Sequence, residues 1–322
     1  MKSAVRILLI ALASAVAFPL QAQTWPSKPV FIVTGFLPGV GPDVIARYLA
    51  ERLAESTGQR FVVENRPGAF SMLAAQQVAR AAPDGHTVLL STVSAAMNGH
   101  LFKSIPYDHV RDFTPVATLA MQAFVLLTNP QVVPANSIAE LTEYIKAHPG
   151  TLAYGSGTAG NIASAFYFSL AGVRRDQLAF IPYKGGTDAM NDLLGGRIHF
   201  TFVDAAYAIQ QARGGRVRAL AITSPKRTSA GPDIPTMAES GLPGYDLVGW
   251  YALFLPAKAP REIAQRLAEL TNAAMTAEKG REFLKTLACD PYPSDPDAFA
   301  RFFGSEVSKW GRLIKEAGIE PQ

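Results

Sequence analysis

Three glycine-bearing loops hold most of the residues in this 322-residue sequence that could do chemistry. The first lies in TGFLPGVGPDVIAR, Thr34 to Arg47, where Gly39 and Gly41 are followed by Pro42 and Asp43. Glycines let successive N–H groups turn into one concavity, proline suits the first position of a helix, and the free amides of a helix start attract an anion. The second loop, YGSGTAGN from Tyr154 to Asn161, offers Ser156, Thr158 and Asn161 as donors beside glycines that admit a ligand to the backbone. The third, YKGGTD from Tyr183 to Asp188, adds Lys184 as a counter-charge and Thr187 as a helix cap. Ser91, Thr92 and Ser94 supply hydroxyls after a further apolar run. Nearly all of these groups donate hydrogen bonds and few could act as bases, which suits holding an anion more than transforming one. Each also has a plain structural reading: a turn at Gly39, a helix capped by Asn161, an ordinary surface lysine at Lys184.

Signatures of other chemistry are missing. The first loop reads G-V-G-P-D-V, without the third glycine of a dinucleotide fingerprint, and it has no Gly-Lys-Ser/Thr of a phosphate-binding P-loop. No serine has glycines two residues before and after it, and none stands three residues before a lysine. His86, His100, His109, His148 and His199 are scattered, with no H-E-x-x-H and no Cys–His zinc spacing. Asp43, Asp188 and Asp204 could meet in a cleft, although nothing in their spacing pairs them, so a triad built from distant residues stays open. The single Cys289 cannot form an internal disulfide and, with no His or Cys nearby, reads as a bystander. No metal or cofactor is implied.

The elements that must aim these loops are legible from hydrophobic periodicity. VFIVT, RFVVEN and HTVLLST read as strands separated by helices over Asp43–Gly58 and Phe70–Gly85, a β-α-β-α-β pattern of a parallel sheet. The pattern restarts at AFVLLTNP and runs through SIAELTEYIKAHPG, with Ser137 and Glu140 as a capping box, to the strand RVRALAITS. From Pro260 the chain reads as mainly helical, a segment returning to the first lobe with no strand pattern of its own. Two α/β lobes follow, with crossings near 120–130 and 240–256, both extended and apolar. One continuous doubly wound sheet is the alternative.

Residues 1–22 have a basic start at Lys2 and Arg6, an apolar core and a small-residue end, the layout of a signal peptide cleaved after Ala22. That leaves roughly 300 residues, enough for two lobes. The whole chain has 30 basic and 26 acidic side chains with no run of like charge, which argues against a nucleic-acid partner. An exported chain without disulfides fits a bacterial periplasm.

WPSKPVFIVTGFLPGVGPDVIARYLAERL, VVENRPGA, VARAAPDGHTVLLST, PYDHVRDFTPVA and IPYKGGTDAMNDLLGGRIHFTFVD, followed by RVRALAITSPKRTSAGPDIPTMAESGLPGYDLVGWYALFLPA, together resemble the Bug-type receptors of tripartite tricarboxylate transporters, in unbroken order over nearly the whole mature chain. The resemblance implies a type-II periplasmic binding protein: two α/β lobes joined by a two-strand hinge, with residues 23–122 and 246–322 in lobe 1 and 123–245 in lobe 2. It implies a small carboxylate between the lobes, without catalysis, and delivery to integral membrane subunits by a monomer. The site residues it implies are Phe36, Leu37, Pro38, Gly39, Val40, Gly41 and Asp43 in the first loop, and Ser156, Gly157, Thr158, Ala159, Gly160 and Asn161 in the second. Ser91 and Thr92 would lie in the cleft, and Lys184, Gly185, Gly186, Thr187 and Asp204 near its floor or hinge. Departures from the family are Val40 where a second adjacent glycine is usual, Phe70-Ser71-Met72 where Gly-Gly-Asn is usual, and Ser164 in place of a histidine. Phe70 therefore joins the expected site as bulk near the cleft. Rival readings are a receptor for a sensor kinase and a secreted α/β hydrolase.

Overall fold

The computed structural model describes residues 25–183 and 186–322. The signal segment, Lys184 and Gly185 fall outside them.

The β-branched run Val30–Thr34 forms β1, and the chain then alternates: α1 Gly41–Thr57, β2 Phe61–Asn65, α2 Met72–Ala79, β3 Thr87–Thr92, α3 Ser94–Leu101 and β4 Phe113–Gln122. The second unit runs β5 Phe124–Thr128, α4 Ile138–Ala147, β6 Leu152–Ser156, α5 Thr158–Ala171, β7 Leu178–Pro182, α6 Gly186–Leu194, β8 Phe200–Asp204, α7 Ala205–Arg213 and β9 Arg218–Ile222. The chain closes with β10 Gly249–Pro256, α8 Arg261–Thr276, α9 Glu278–Thr286, β11 Cys289–Pro291 and α10 Pro296–Glu316. The helices form where apolar side chains share a face. In α1, Ile45, Leu49 and Leu53 are buried at four-residue spacing, and Gly58, at φ 72°, closes the helix by donating its N–H to Ala54.

Two separate sheets result, ordered β11-β4-β10-β3-β1-β2 and β7-β6-β8-β5-β9. In the first, β1, β2 and β3 are parallel, and β10 joins antiparallel to β3 and β4. In the second, β6 is parallel to β7 and β8, and β5 is antiparallel to β8 and β9. Each lobe thus has a parallel core extended by the strand on which the chain crosses. The two crossings lie side by side. Only Ala123 separates β4 from β5, and β10 begins at Gly249 directly opposite Gln122. The two-lobed type-II architecture with a two-strand hinge is therefore the observed one, and the single continuous sheet is not.

Elements that differ from the sequence reading have local reasons. The helix expected from Phe70 starts only at Met72, because residues 69–71 take left-handed backbone, and it ends at Ala79, ahead of Pro83. The C-terminal part carries a strand after all: Cys289–Pro291 pairs with β4, too short and proline-bounded to show a period. Strand β4 itself carries Pro115, opposite Phe254 beside a register shift, where a missing N–H is tolerated. Ser137 accepts from Glu140 N–H as a cap, but the Glu140 carboxylate reaches Asn136 N–H, one residue short of a reciprocal box.

Helix α10 ties the two lobes. Asp295 caps it by accepting from Ala298 N–H, and Phe299, Phe303, Trp310, Leu313 and Ile314 are buried along it. It packs on β4 and α3 of the first lobe and on α5 of the second. The core beneath runs without a break from Val33 and Leu89 through Trp250 and Phe299 to Phe166 and Tyr167. Glu306, buried in that core, accepts from the indoles of Trp250 and Trp310 at 2.9 and 3.0 Å and pairs with Lys309. Buried charge is tolerated there because each oxygen has a donor.

Candidate functional site

The first loop hangs between β1 and α1. Phe36 is half-buried and Leu37, Pro38, Gly39 and Val40 are exposed, so the loop presents its backbone outward. Gly39 has φ 84° with nothing within 4 Å of a would-be Cβ, a left-handed turn that glycine accepts freely. Asp43 turns the other way. Its carboxylate accepts from Gly39 N–H at 2.8 Å, Arg47 Nε at 2.9 Å and Asn65 Nδ2 at 2.8 Å. Burial alone would push this carboxyl up, but the hydrogen bonds from Arg47, Gly39 and Asn65 outweigh it and hold the pKa below the usual carboxylate range. Asp43 is thus engaged as a brace. The Gly39 amide, expected as an anion donor, is already taken. Asn65 also donates to Phe36 O at 3.0 Å, so the end of β2 pins the loop from below. Sequence reasoning missed this residue, although it sits in the VVENRPGA run.

Residues Ala69, Phe70 and Ser71 have φ of 45°, 52° and 69°. Three successive non-glycine residues in the left-handed region store strain on the order of 1 kcal/mol or more each. Neighbours hold them there. Asn98 Nδ2 donates to Phe70 O at 3.1 Å, Ser71 Oγ donates to Gly35 O at 3.4 Å, and Gly35 has no room for a Cβ against Ser71. The Phe70 ring is 53 % exposed and meets Phe102 edge-on at 5.4 Å. Phe70 is therefore at the surface of the cleft and not in the core.

The second loop leads from β6 into α5, which starts at Thr158 with Gly157 as an N-cap that offers no side-chain cap. The first amides of this helix therefore have neither an intrahelical partner nor a capping side chain. Asn161 is not the cap. It lies within the first turn, buried, and its Oδ1 accepts from Arg175 Nη2 at 3.1 Å, which leaves its NH2 group as the free end. Gly160 lets the helix sit on the sheet, since a Cβ there would lie 2.7 Å from Ser156 Cβ and 2.8 Å from Phe202 O. Ser156 is 2 % exposed, and its Oγ has no hydrogen-bond partner. A buried hydroxyl without a partner is costly unless something else completes it. Ser164 donates to Gly160 O at 2.8 Å and so is engaged within its own helix.

Ser156, Gly157, Thr158 and Asn161 line a cavity of about 220 Å³ together with Phe70, Leu101 and Phe102 of the first lobe. Phe180, Pro182 and Tyr183 form another wall, and Ile319, Glu320 and Gln322 close a side from the C-terminal tail. The tail is held by Lys103 N–H donating to Gln322 O and Gln322 N–H donating to Leu101 O. Nothing in the tail sequence signalled that role.

Of the remaining expected residues, Gly41, Thr92 and Asp204 gather at the hinge around Tyr251 and Gln122. Tyr251 OH donates to Gln122 Oε1 at 2.6 Å, and Gln122 Nε2 donates to Asp204 Oδ1 at 3.0 Å, a chain from the first lobe into the second. Gly41 abuts the Tyr251 hydroxyl, and Thr92 lies beside Tyr251 in the sheet. Asp204 is open to solvent yet has protein on most sides, and that surrounding pushes its carboxyl above the usual range. Ser91 is buried opposite Ala252, and Thr92 Oγ1 is engaged with Ser94. Gly186 abuts Val203 and Thr187 is exposed on α6; Lys184 and Gly185 lie outside the described residues. Cys289 is buried and its thiol pushed up to about 12 by burial and by Asp290 and Asp204, so it stays neutral. Among the described residues no group of three His, Cys, Asp or Glu could hold a metal.

The structure thus brings Ser156, Gly157, Thr158, Asn161 and Phe70 into one cavity, without Ala159 and Gly160 in its wall, and brings Gly41, Thr92 and Asp204 to the hinge. The rest of the first loop is not in the cavity wall. What these groups can do is donate hydrogen bonds to an anion from a helix start and present aromatic faces to its body.

Two α/β lobes joined by a two-strand hinge, with a cavity lined from both, are the architecture of a solute-binding receptor of the type-II periplasmic class. The chain belongs to the tripartite tricarboxylate transporter receptor family: the model described as "Tripartite tricarboxylate transporter family receptor" matches residues 45–319. It is similar to BugT of Bordetella pertussis, 33 % identical over 307 residues that cover 95 % of this chain and 94 % of the relative. Among solved structures it is similar to R. palustris Rpa4515 with adipate, at 31 % identity and a TM-score of 0.77, covering 92 % of this chain and 100 % of that one. MatC from Rhodopseudomonas palustris with bound malate aligns at 29 % identity and a TM-score of 0.71, covering 90 % and 100 %. The family is one of transporter receptors, and the periplasmic binding protein BugD aligns at 32 % identity and a TM-score of 0.72, covering 92 % of this chain and 100 % of that one, which sets aside the hydrolase reading.

Proposed function

We propose that the protein is an exported periplasmic receptor that captures a small carboxylate between its lobes and delivers it to the membrane subunits of a tripartite tricarboxylate transporter. Residues 23–122 and 246–322 would form one jaw and 123–245 the other. The observation that carries the reading is the uncapped start of α5 beside the unpartnered Ser156 hydroxyl in the cavity wall. A carboxylate there would meet the free amides of the first turn, the Ser156 Oγ–H and the Asn161 NH2 group. An anion in a partly buried position of this kind gains up to about 2 kcal/mol from the helix start alone. The adipate and malate carried by the two neighbours support the ligand class, and the family name supports the transporter. Preferred binding to one arrangement of the lobes is what a transporter would read.

The test is a thermal-shift and calorimetric screen of the purified protein against aliphatic and aromatic carboxylates with matched amides as controls. At least one acid should stabilise the fold, by about 2.7 kcal/mol at a hundredfold excess over Kd, while its amide does not. A screen in which amides bind as well as acids would overturn the carboxylate assignment. Reconstitution with the membrane subunits, with uptake dependent on the receptor, tests delivery.

A further inference from the structure

The cavity is divided by chemistry. Ser156, Thr158 and Asn161 put hydrogen-bond donors at the start of α5, Tyr183, Glu320 and Gln322 add polar groups elsewhere in the lining, and Phe70, Phe102 and Phe180 supply aromatic surface. Among the described lining residues there is no Lys or Arg, and Glu320 contributes a like charge to an acid. One carboxylate therefore has a place, and a second at the apolar side would meet aromatic rings and a carboxylate.

Phe70 is the residue that needs explaining. A phenylalanine at φ 52° and ψ 44°, flanked by two more left-handed residues, is held against its own backbone preference. Burial does not account for it, because the ring is 53 % exposed. Asn98, itself 1 % exposed, is committed to holding it through the Phe70 carbonyl. The result is an aromatic face from the first lobe in the cavity lining, with Phe180 of the second lobe in another wall of the same cavity. Phe180 is half-buried against Tyr154 at 5.1 Å and so is fixed in place. The cavity, at about 220 Å³, falls below the range of drug-sized sites and suits a single ring.

We propose that the ligand is a monocarboxylate carrying one aromatic ring, with its carboxylate at the start of α5 and its ring between Phe70 and Phe180. This rests on the carboxylate-receptor reading above and narrows it. Phe70 then sets specificity: it supplies a flat, polarisable face that an aliphatic diacid does not use.

The experiment titrates the purified protein with benzoate, adipate and malate, and repeats the benzoate titration with Phe70→Gly and Phe70→Tyr. Benzoate should bind at least about tenfold tighter than either diacid, the size of a good aromatic contact. Phe70→Gly should lose about tenfold for benzoate without a lower melting temperature, since glycine accepts this backbone; Phe70→Tyr should stay within about threefold of wild type. Tighter binding of adipate or malate than of benzoate overturns the aromatic assignment and leaves the carboxylate receptor standing. An unchanged benzoate affinity in Phe70→Gly overturns the role given to Phe70.

Discussion

Replacing Asp43 with alanine separates two roles that the sequence alone could not. As a ligand contact, Asp43 would matter for binding and little for stability. As a brace, it would matter for the fold of the first loop. The structure gives three hydrogen bonds to its carboxylate, from Gly39, Arg47 and Asn65, at 2.8, 2.9 and 2.8 Å. At a net value of about 1 kcal/mol each, their loss comes to about 3 kcal/mol. The ion pair with Arg47 adds little beyond its hydrogen bond, because the Arg47 side chain is 54 % exposed and can turn to water. Gly39 is exposed and Asn65 keeps its bond to Phe36 O, so no donor is stranded in the core and the larger penalty of a broken buried pair does not apply. A loss of about 3 kcal/mol in a chain of this size corresponds to roughly 5 °C.

The assay is calorimetric melting of wild type and Asp43→Ala across pH. Because the folded pKa of Asp43 is lowered, its stabilisation is present above the unfolded value of about 3.9 and is lost as pH falls through the folded value. The two melting curves should therefore differ at pH 7 and converge below about pH 4. A variant that melts with wild type at pH 7 but changes affinity for a carboxylate would refute the brace and return Asp43 to the ligand.

Three further substitutions test neighbouring parts of the account. Ser156→Ala removes a hydroxyl that has no partner in the chain, so without ligand it should melt at or slightly above wild type in scanning calorimetry, while carboxylate affinity in titration calorimetry falls by about tenfold. Gly160→Ala drives a Cβ towards Ser156 and the Phe202 carbonyl and should cost about 1–3 kcal/mol in denaturant unfolding despite alanine's helix propensity. Asp204 has a raised folded pKa, so its ionised form opposes folding and wild type gains relative stability as pH falls through that pKa towards the unfolded value. Asp204→Asn should melt no lower than wild type at pH 7 and lose that part of the pH slope, as followed by circular dichroism.

Periodicity made the alternating strands and helices readable because α1, α4 and α10 each bury one face, and the strands ahead of the loops are nearly continuous apolar runs. Loops at strand ends were legible from glycine and proline for the same local reason. What could not be read depends on distant contacts. Strand β4 could not be read from the sequence, because its pairing with β10 joins residues more than a hundred positions apart, Pro115 with Phe254. The left-handed turn at 69–71 exists only because Asn98 and Gly35 hold it. Asn161 looked like a cap until Arg175 claimed its oxygen, and the tail's part in the cavity needed the pairing of Gln322 with Leu101 and Lys103. Phe70, by contrast, stood out in sequence as a departure, and the structure shows why: a backbone suited to glycine carries an aromatic ring there.

The most direct measurement of the central claim is a crystal structure of the protein with the tightest-binding acid from the carboxylate screen. The account predicts a carboxylate oxygen within about 3 Å of Ser156 Oγ and of an amide in the first turn of α5, with the ligand's body against Phe70. A carboxylate seated on the first-loop amides and the Asp204 hinge cluster, with the α5 start left to solvent, would contradict it.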